Sequence, residues 1–388
     1  MEVGLVGKPN VGKSTFFKAL TLKDVKISNF PFTTTQANIG VGYVKKECAC
    51  KFFGVKCNPI NSICIDGYRF IPVKILDVPG LVPDAHKGKG LGNKFLDELR
   101  RASALIHVLD ISGKTNELGN PAVNHDPERD IEFLLKEIDA WFFQIVRRNL
   151  EKIKNKVKYE KANLVTELSN KLAGIGIKEA TLLKVMKSLN IDSLDSLEDN
   201  LEKFSSKLRE SKLPIILAAN KADIDTYRNY DRLKERYEII PTFAEGELAL
   251  KQASAKGLIH YIPGESDFEI IGNLSKEQEM ALEYIRDFMK KFGSTGVQEC
   301  LDKAIFEKLD MIHVYTVENE RKLSDSKGNI LPDVHLMKNG STALDLAYKI
   351  HTEIGRKFIA AIELREQVRV GRDYKLKDGD VIKIIAGR

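Results

Sequence analysis

Gly7-Lys8-Pro9-Asn10-Val11-Gly12-Lys13-Ser14 is the stretch that decides the reading of this 388-residue chain. Before it, Val3-Gly4-Leu5-Val6 is a short apolar run suited to a buried strand; after it, Thr15-Phe16-Phe17-Lys18-Ala19-Leu20 reads as the opening turns of a helix. Strand, glycine loop and helix form the context that turns a G-x-x-x-x-G-K-[ST] match into a phosphate-binding loop. Backbone N–H groups of the loop, together with the helix N-terminus, would wrap a β-phosphate. Lys13 would reach the β- and γ-phosphates, and the Ser14 hydroxyl would ligate Mg²⁺. An ordinary glycine-rich turn would not need both flanks. A nucleotide-binding protein is expected.

The chain is longer than one typical core, so two or three domains are expected. Apolar residues make up 43%, enough for packed cores and too many for a disordered chain. No apolar run approaches the roughly 18 residues of a membrane span, and the phosphate loop occupies the place of a secretory signal. A cytoplasmic protein without membrane contact is therefore expected. A net charge of +6 is a mild basic excess that solvated helix faces absorb, not the signature of a nucleic-acid coat.

Four of the five cysteines, Cys48, Cys50, Cys57 and Cys64, fall in one short stretch. In a reducing compartment they are expected as free or partly buried thiols, not structural disulfides. Their C-x-C-x6-C-x6-C spacing could hold zinc, but lacks the paired C-x2-C knuckles of common zinc sites.

Beyond the first helix, Asn29-Phe30-Pro31-Phe32-Thr33-Thr34-Thr35-Gln36 is a polar loop punctuated by proline. Asn38–Val44 and Phe70–Leu76 read as paired strands with the cysteine-bearing connection between them. A long loop, Leu81 to Gly92, follows Asp77-Val78-Pro79-Gly80. Phe95–Ala102 then reads as a helix and Ala104–Asp110 as a buried strand, implying a parallel sheet with helices on both faces. From Asp126 to Ser211 the spacing is helical throughout, including a Lys-rich run to Leu168. The sheet resumes at Leu213–Ala219 and Glu238–Thr242, with helices near 245–256 and 276–292. From Asp310 onward, strands surround one helix, Thr342–Ile354, in a small α+β module of about 80 residues.

Asn220-Lys221-Ala222-Asp223 follows an apolar strand and sets the base. The Asp223 carboxylate can accept from N1–H and the N2 amino group of guanine, a donor pair that adenine lacks. Asn220 would brace the loop, and Lys221 would lie over the base. Such a site rejects the wrong base by leaving a buried polar group unpaired. GTP is therefore favoured over ATP. Asp77 would hold Mg²⁺ through water, the Gly80 N–H would touch the γ-phosphate, and one of Thr33, Thr34 and Thr35 would complete the metal shell.

Taken in order, GKPNVGKST, NFPFTTTQANIGVGYV, DVPGLVPDAHKGKGLGNKF and NKAD resemble the Obg-like translation-factor GTPases, and the helical insertion and C-terminal module make most of the chain similar to their YchF branch as seen in archaea. The closing segment from about Asp310 resembles a TGS domain, the module shared with threonyl-tRNA synthetase and the stringent-response synthetases. The resemblance implies a P-loop NTPase fold of α/β class with a doubly wound, mostly parallel sheet. Residues 1–125 and 212–308 would form the GTPase domain, 126–211 an all-helical insertion, and 309–388 a β-grasp-like TGS domain.

By the same resemblance Thr34 is the switch threonine, and Lys13, Thr34 and Gly80 carry the catalysis. Phe243-Ala244-Glu245 matches the last guanine-contacting loop, usually Ser-Ala-x, whose Ala N–H meets guanine O6; Phe243 departs from that Ser. Ser254-Ala255-Lys256 is a literal match, but it follows a helical run and reads as a decoy. Better-known YchF proteins carry Glu at the position of Asp223 and prefer ATP; the aspartate here restores the guanine reader. Leu81 stands where many GTPases have the glutamine that orients the attacking water. Hydrolysis would then need another group, a partner, or K⁺ held by Asn10, whose alternative role is to stabilise the loop. His86 reads as an exposed loop histidine. The resemblance further implies a ribosome or another RNA as partner, and a monomer is favoured. Two rivals are a P-loop phosphotransferase acting on a small acceptor and an RNA-binding adaptor in which the nucleotide is structural.

Overall fold

The computed structural model of the chain describes residues 1–21, 39–78 and 99–387. The expectations for Thr33, Thr34, Thr35, Gly80, Leu81 and His86 lie outside the described residues.

In chain order the first elements are β1 (Glu2–Val6), α1 (Lys13–Leu20), β2 (Ile39–Glu47), α2 (Ala49–Phe53), β3 (Ile63–Ile65), β4 (Tyr68–Asp77) and β5 (Ala104–Asp110). A helical stretch follows: α3 (Glu128–Tyr159), α4 (Leu164–Leu172), α5 (Glu179–Ser188), α6 (Leu194–Asp199) and α7 (Leu201–Lys212). Next come β6 (Ile215–Asn220), α8 (Asn229–Leu233), β7 (Ile239–Thr242), α9 (Ala244–Ala255), β8 (Ile259–His260), β9 (Glu269–Ile270), α10 (Lys276–Phe292) and α11 (Val297–Asp302). The chain closes with β10 (Met311–Thr316), β11 (Asp333–Lys338), α12 (Ala343–Ile350), α13 (Thr352–Arg356), β12 (Phe358–Glu363), β13 (Val368–Val370) and β14 (Val381–Ala386). These elements divide into two compact units, Met1–Phe17 with Ile75–Leu248, and Lys18–Lys74 with Ala249–Arg388.

The first unit is built on a sheet in which the end of β4 is followed by β1, β5, β6 and β7. The pairs β1–β5, β5–β6 and β6–β7 are parallel. β5, Ala-Leu-Ile-His-Val-Leu-Asp, is buried along its whole length, as expected of a central parallel strand covered on both faces. Its one imidazole, His107, is 3% exposed. Burial, with Lys8 nearby, pushes its pKa down to about 3, so the ring is neutral. Register places Asp110 beside Asn220 and Asn220 beside Thr242. The carboxyl ends of the strands therefore share one edge, where open parallel sheets bind ligands.

The helical stretch packs α3 against α7 and α4. On α3, Leu134, Ile138, Trp141, Phe142 and Ile145 are buried along one stripe. Asp139, beside that stripe, pairs with Arg209 of α7 at 2.8 Å. The expected run to Leu168 is split. Lys161 takes a left-handed φ of 55°. Asn163 then caps α4 by accepting the Thr166 N–H at 3.0 Å. An asparagine that satisfies a helix's first amides starts a new helix more readily than it continues an old one.

In the second unit β2 lies beside β4, and β3 pairs antiparallel with β4 across an Asp66-Gly67 turn. Both turn residues have positive φ, 47° and 78°, which suits the tight hairpin. The closing module is a five-stranded sheet in the order β11-β10-β14-β12-β13. Its core joins Val314, Leu346, Ala361, Leu376 and Ile382. Thr342 and Asp345 form a capping box at the start of α12. The helix expected to reach Ile354 stops at Ile350. His351 is extended there, and its side chain accepts the Glu353 N–H that opens α13.

Candidate nucleotide site

The phosphate loop links β1 to α1 at the shared sheet edge. A Cβ at Gly7 would sit 2.5 Å from Val108 O, and one at Gly12 would sit 2.4 Å from Asn220 Nδ2. Gly12 also has a φ of 91°, so only glycine lets the loop close this tightly. Phe16 N–H donates to Gly12 O at 2.9 Å, which fixes the loop to the first turn of α1.

Asn220 ends β6 and is 3% exposed. It donates from Nδ2 to Val11 O at 2.8 Å and accepts the Ala244 N–H on Oδ1 at 3.1 Å. One side chain thus joins the phosphate loop, the end of β6 and the start of α9. The Ala244 amide, expected to meet guanine O6, is committed to Asn220 in this arrangement. Phe243 is buried between β7 and α9, with a Cβ at Gly246 falling 2.6 Å from its ring, and Glu245 is exposed. Asp223 is half-buried in the single helical turn that follows Lys221.

Lys221 takes a left-handed φ of 62° and reaches the phosphate loop, donating to Asn10 O at 2.8 Å. It also pairs at 2.8 Å with Asp110, the last residue of β5. Asp110 is fully buried and accepts from Ser112 Oγ at 2.5 Å and Thr115 Oγ1 at 2.8 Å. Burial alone would raise this carboxyl; the bonds from Lys221, Ser112 and Thr115 outweigh it and hold it below the ordinary carboxylate range. Sequence reasoning passed over Asp110, whose only signal was a polar residue closing an apolar strand.

Two loop positions that the motif leaves open are also tied down. Lys8 donates to Thr115 O at 2.7 Å and pairs with Asp130 of α3 at 2.7 Å, both side chains almost fully buried. Burial pushes the Asp130 carboxyl upward despite Lys8. His125 Nε2 lies 3.1 Å from the other oxygen of that carboxyl. Asn10, at a φ of 64°, donates from Nδ2 to Gly119 O at 2.9 Å. Segment 110–130 therefore braces the outer side of the phosphate loop, a feature no motif announced.

Lys13 donates to Val78 O and pairs with Asp77 Oδ1 at 3.1 Å. The two side chains expected to serve the γ-phosphate and its metal are thus neighbours. Ser14 and Thr15 sit in the first turn of α1, Ser14 exposed. Pro9 is exposed at the tip of the loop. Ser254-Ala255-Lys256 falls at the end of α9 and does not follow the carboxyl end of a strand.

Comparison with known proteins identifies relatives of the chain. Residues 2–147 match the family described as 50S ribosome-binding GTPase, 218–319 the G4 motif-containing domain of the Obg-like GTPase YGR210-like family, and 326–386 the TGS domain. The chain is 52% identical over 390 residues to the uncharacterized GTP-binding protein MJ1332 of Methanocaldococcus jannaschii, covering 99% of this chain and 98% of the relative. It is 28% identical over 412 residues to the ribosome-binding ATPase YchF of Buchnera aphidicola, covering 99% and 98%. The crystal structure of a GTP-binding protein from Pyrococcus horikoshii superposes with a TM-score of 0.80 at 40% identity, covering all of both chains. The three family matches and the 52% identity along almost the whole of both chains make this chain a member of the Obg-like, YchF-type family of GTP-binding proteins.

Proposed function

We propose that the chain hydrolyses GTP slowly, as a switch that engages the ribosome or another RNA in its GTP-bound state. The observation that carries the reading is Asn220. It fastens the strand leading to the guanine reader Asp223 directly to the phosphate loop, so base and phosphates would be read by one rigid unit. On this reading 1–125 and 212–308 serve the nucleotide, 126–211 is a helical insertion, and 309–388 is the TGS module.

Ser14, next to Lys13 in the chain, and Asp77, ion-paired with Lys13, are a hard, all-oxygen donor pair, a set that suits Mg²⁺ better than a softer metal. When bound, Mg²⁺ would offset charge on the β- and γ-phosphate oxygens. Lys13 would exchange its ion pair with Asp77 for phosphate oxygens, keeping its positive charge satisfied in both states. Backbone N–H groups between Gly7 and Thr15, Pro9 having none, would hold the phosphates. Thr34 and the Gly80 N–H would bind the γ-phosphate end and release on hydrolysis, the order–disorder logic of GTPase switches. Leu81 has no polar atom with which to orient water, which supports slow turnover. If K⁺ supplies the missing charge, Asn10 Oδ1 is the atom to ligate it while Nδ2 holds Gly119 O.

The test is co-sedimentation with ribosomes at fixed salt, comparing a non-hydrolysable GTP analogue, GDP and no nucleotide. Binding that needs the analogue supports the switch. Binding indifferent to nucleotide, or none, overturns the ribosomal part. Single-turnover hydrolysis in K⁺ and in Na⁺ tests the ion, and equal rates dismiss it.

A further inference from the structure

The four cysteines that the sequence left without a role converge in the second unit. Cys48 Sγ lies 3.9 Å from Cys57 Sγ, Cys50 Sγ lies 3.9 Å from Cys64 Sγ, and all four sulfurs lie within 4.8 Å of one another. A tetrahedral centre with Zn–S bonds of about 2.3 Å has sulfur–sulfur edges of about 3.8 Å. The observed sulfur separations fit those edges, slightly expanded. Cys48 and Cys50 flank the start of α2, and Cys64 lies in β3, so regular elements hold three of the four. The fifth cysteine, Cys300, is buried in α11 and stands outside the cluster.

Arg69 is the second observation. It is fully buried, and its Nε and Nη2 donate to Cys48 Sγ at 3.4 and 3.3 Å. The rest of the guanidinium is occupied by Ser62 Oγ at 2.9 Å and by Leu331 O at 3.1 Å from both Nη1 and Nη2. Its plane also lies over the Tyr315 ring, 5.0 Å from the centroid. A buried cation aimed at a sulfur is costly unless that sulfur carries negative charge. Four thiolates around one Zn²⁺ carry a net charge of −2, which an N–H···S donor of this kind steadies, as outer partners of metal ligands do elsewhere.

We infer that Cys48, Cys50, Cys57 and Cys64 form a structural zinc site. Each thiol that still holds its proton loses it to solvent when the metal binds, with no change of oxidation state. Four protein sulfurs leave no open position, so the ion is structural and not catalytic. Its place in the fold gives it a task. Between Cys57 and Cys64, Asn58 N–H donates to Ile330 O at 3.1 Å and Ile60 N–H to Pro332 O at 2.8 Å. Asn61 exchanges two bonds with the Val334 backbone, both 3.0 Å. The metal would hold the cysteine-bearing excursion in the shape that pairs with the edge of the TGS domain.

The experiment uses the full chain, purified without chelators. Elemental analysis is expected to give one zinc per chain. Thiol labelling under native conditions should reach none of the four cysteines until a chelator and denaturant are added together. Replacing zinc with Co²⁺ should give the intense visible bands of tetrahedral cobalt thiolate. Cys57→Ser with Cys64→Ser should lose those bands. If that variant does not fold, the cobalt spectrum and stoichiometry of the unaltered protein still decide. Rapid native labelling of all four thiols with no cobalt spectrum overturns the site. A mass deficit showing disulfides overturns it too, and iron in place of zinc overturns the choice of ion.

Discussion

Asn220→Ala is the substitution that interrogates the site most directly. The side chain is buried, donates to Val11 O and accepts from Ala244 N–H, at residues whose own side chains are each about 1% exposed. Truncation leaves a carbonyl and an amide without partners, each costing about 1–3 kcal/mol, with partial relaxation of the small gap beside Gly12. A total loss of about 2–4 kcal/mol follows. In a unit of roughly 190 residues this lowers the melting temperature by about 2–4 °C per kcal/mol, hence by about 5–15 °C. The chain's single tryptophan, Trp141, lies buried on α3 in that same unit and reports its unfolding by fluorescence. The melt is run without nucleotide, so that affinity does not enter. Binding of a fluorescent GDP, measured below the melting range, should weaken by about 10–100-fold because the loop must be reordered on binding. A variant that melts within a degree of the parent would refute the claim that Asn220 joins the phosphate loop to β6 and α9.

Asp223→Asn removes the carboxylate proposed to accept from guanine; GTP affinity should fall by about 10–100-fold, matching the worth of a charge-assisted bond. Xanthosine triphosphate, with a carbonyl in place of the amino group, should gain, and unchanged GTP affinity in competition would dismiss the guanine reader. Lys8→Ala removes the lysine paired with buried Asp130, leaving His125 on its other oxygen, and should cost about 3 kcal/mol in the Trp141-monitored melt, while Lys8→Met with Asp130→Leu recovers part of it. His107 has a folded pKa of about 3, below the ordinary imidazole value of about 6.5, because burial disfavours its charged form. The unfolded chain therefore binds the extra proton. Stability of this unit should be full above about pH 6.5 and fall progressively towards pH 3, and His107→Gln should flatten that part of the profile.

The sequence by itself determined whatever depends on neighbours in the chain. The phosphate loop and its flanks were readable because a glycine pattern, an apolar run and a helical start lie within twenty residues. β5, β6, α9 and α10 were readable from periodicity, each within about two residues of its observed limits. The break after Tyr159 was not, since Lys-rich spacing continued across it and only the Asn163 cap marks it.

The tertiary structure alone decided what depends on residues far apart. Lys221 meets Asp110 across 111 positions, and Asn220 meets Val11 across 209. Arg69 meets Leu331 across 262. Lys8 and Asn10 occupy variable places in the loop motif, and their partners on segment 110–130 carry no pattern of their own. The cysteines are the sharpest case. Their spacing lacks the knuckles by which zinc sites are recognised, because α2 and the β3–β4 hairpin bring the sulfurs together. Local pattern fixes how the backbone repeats; which side chains meet is fixed only when sheets and helices stack, and that stacking is where the site acquired its supports.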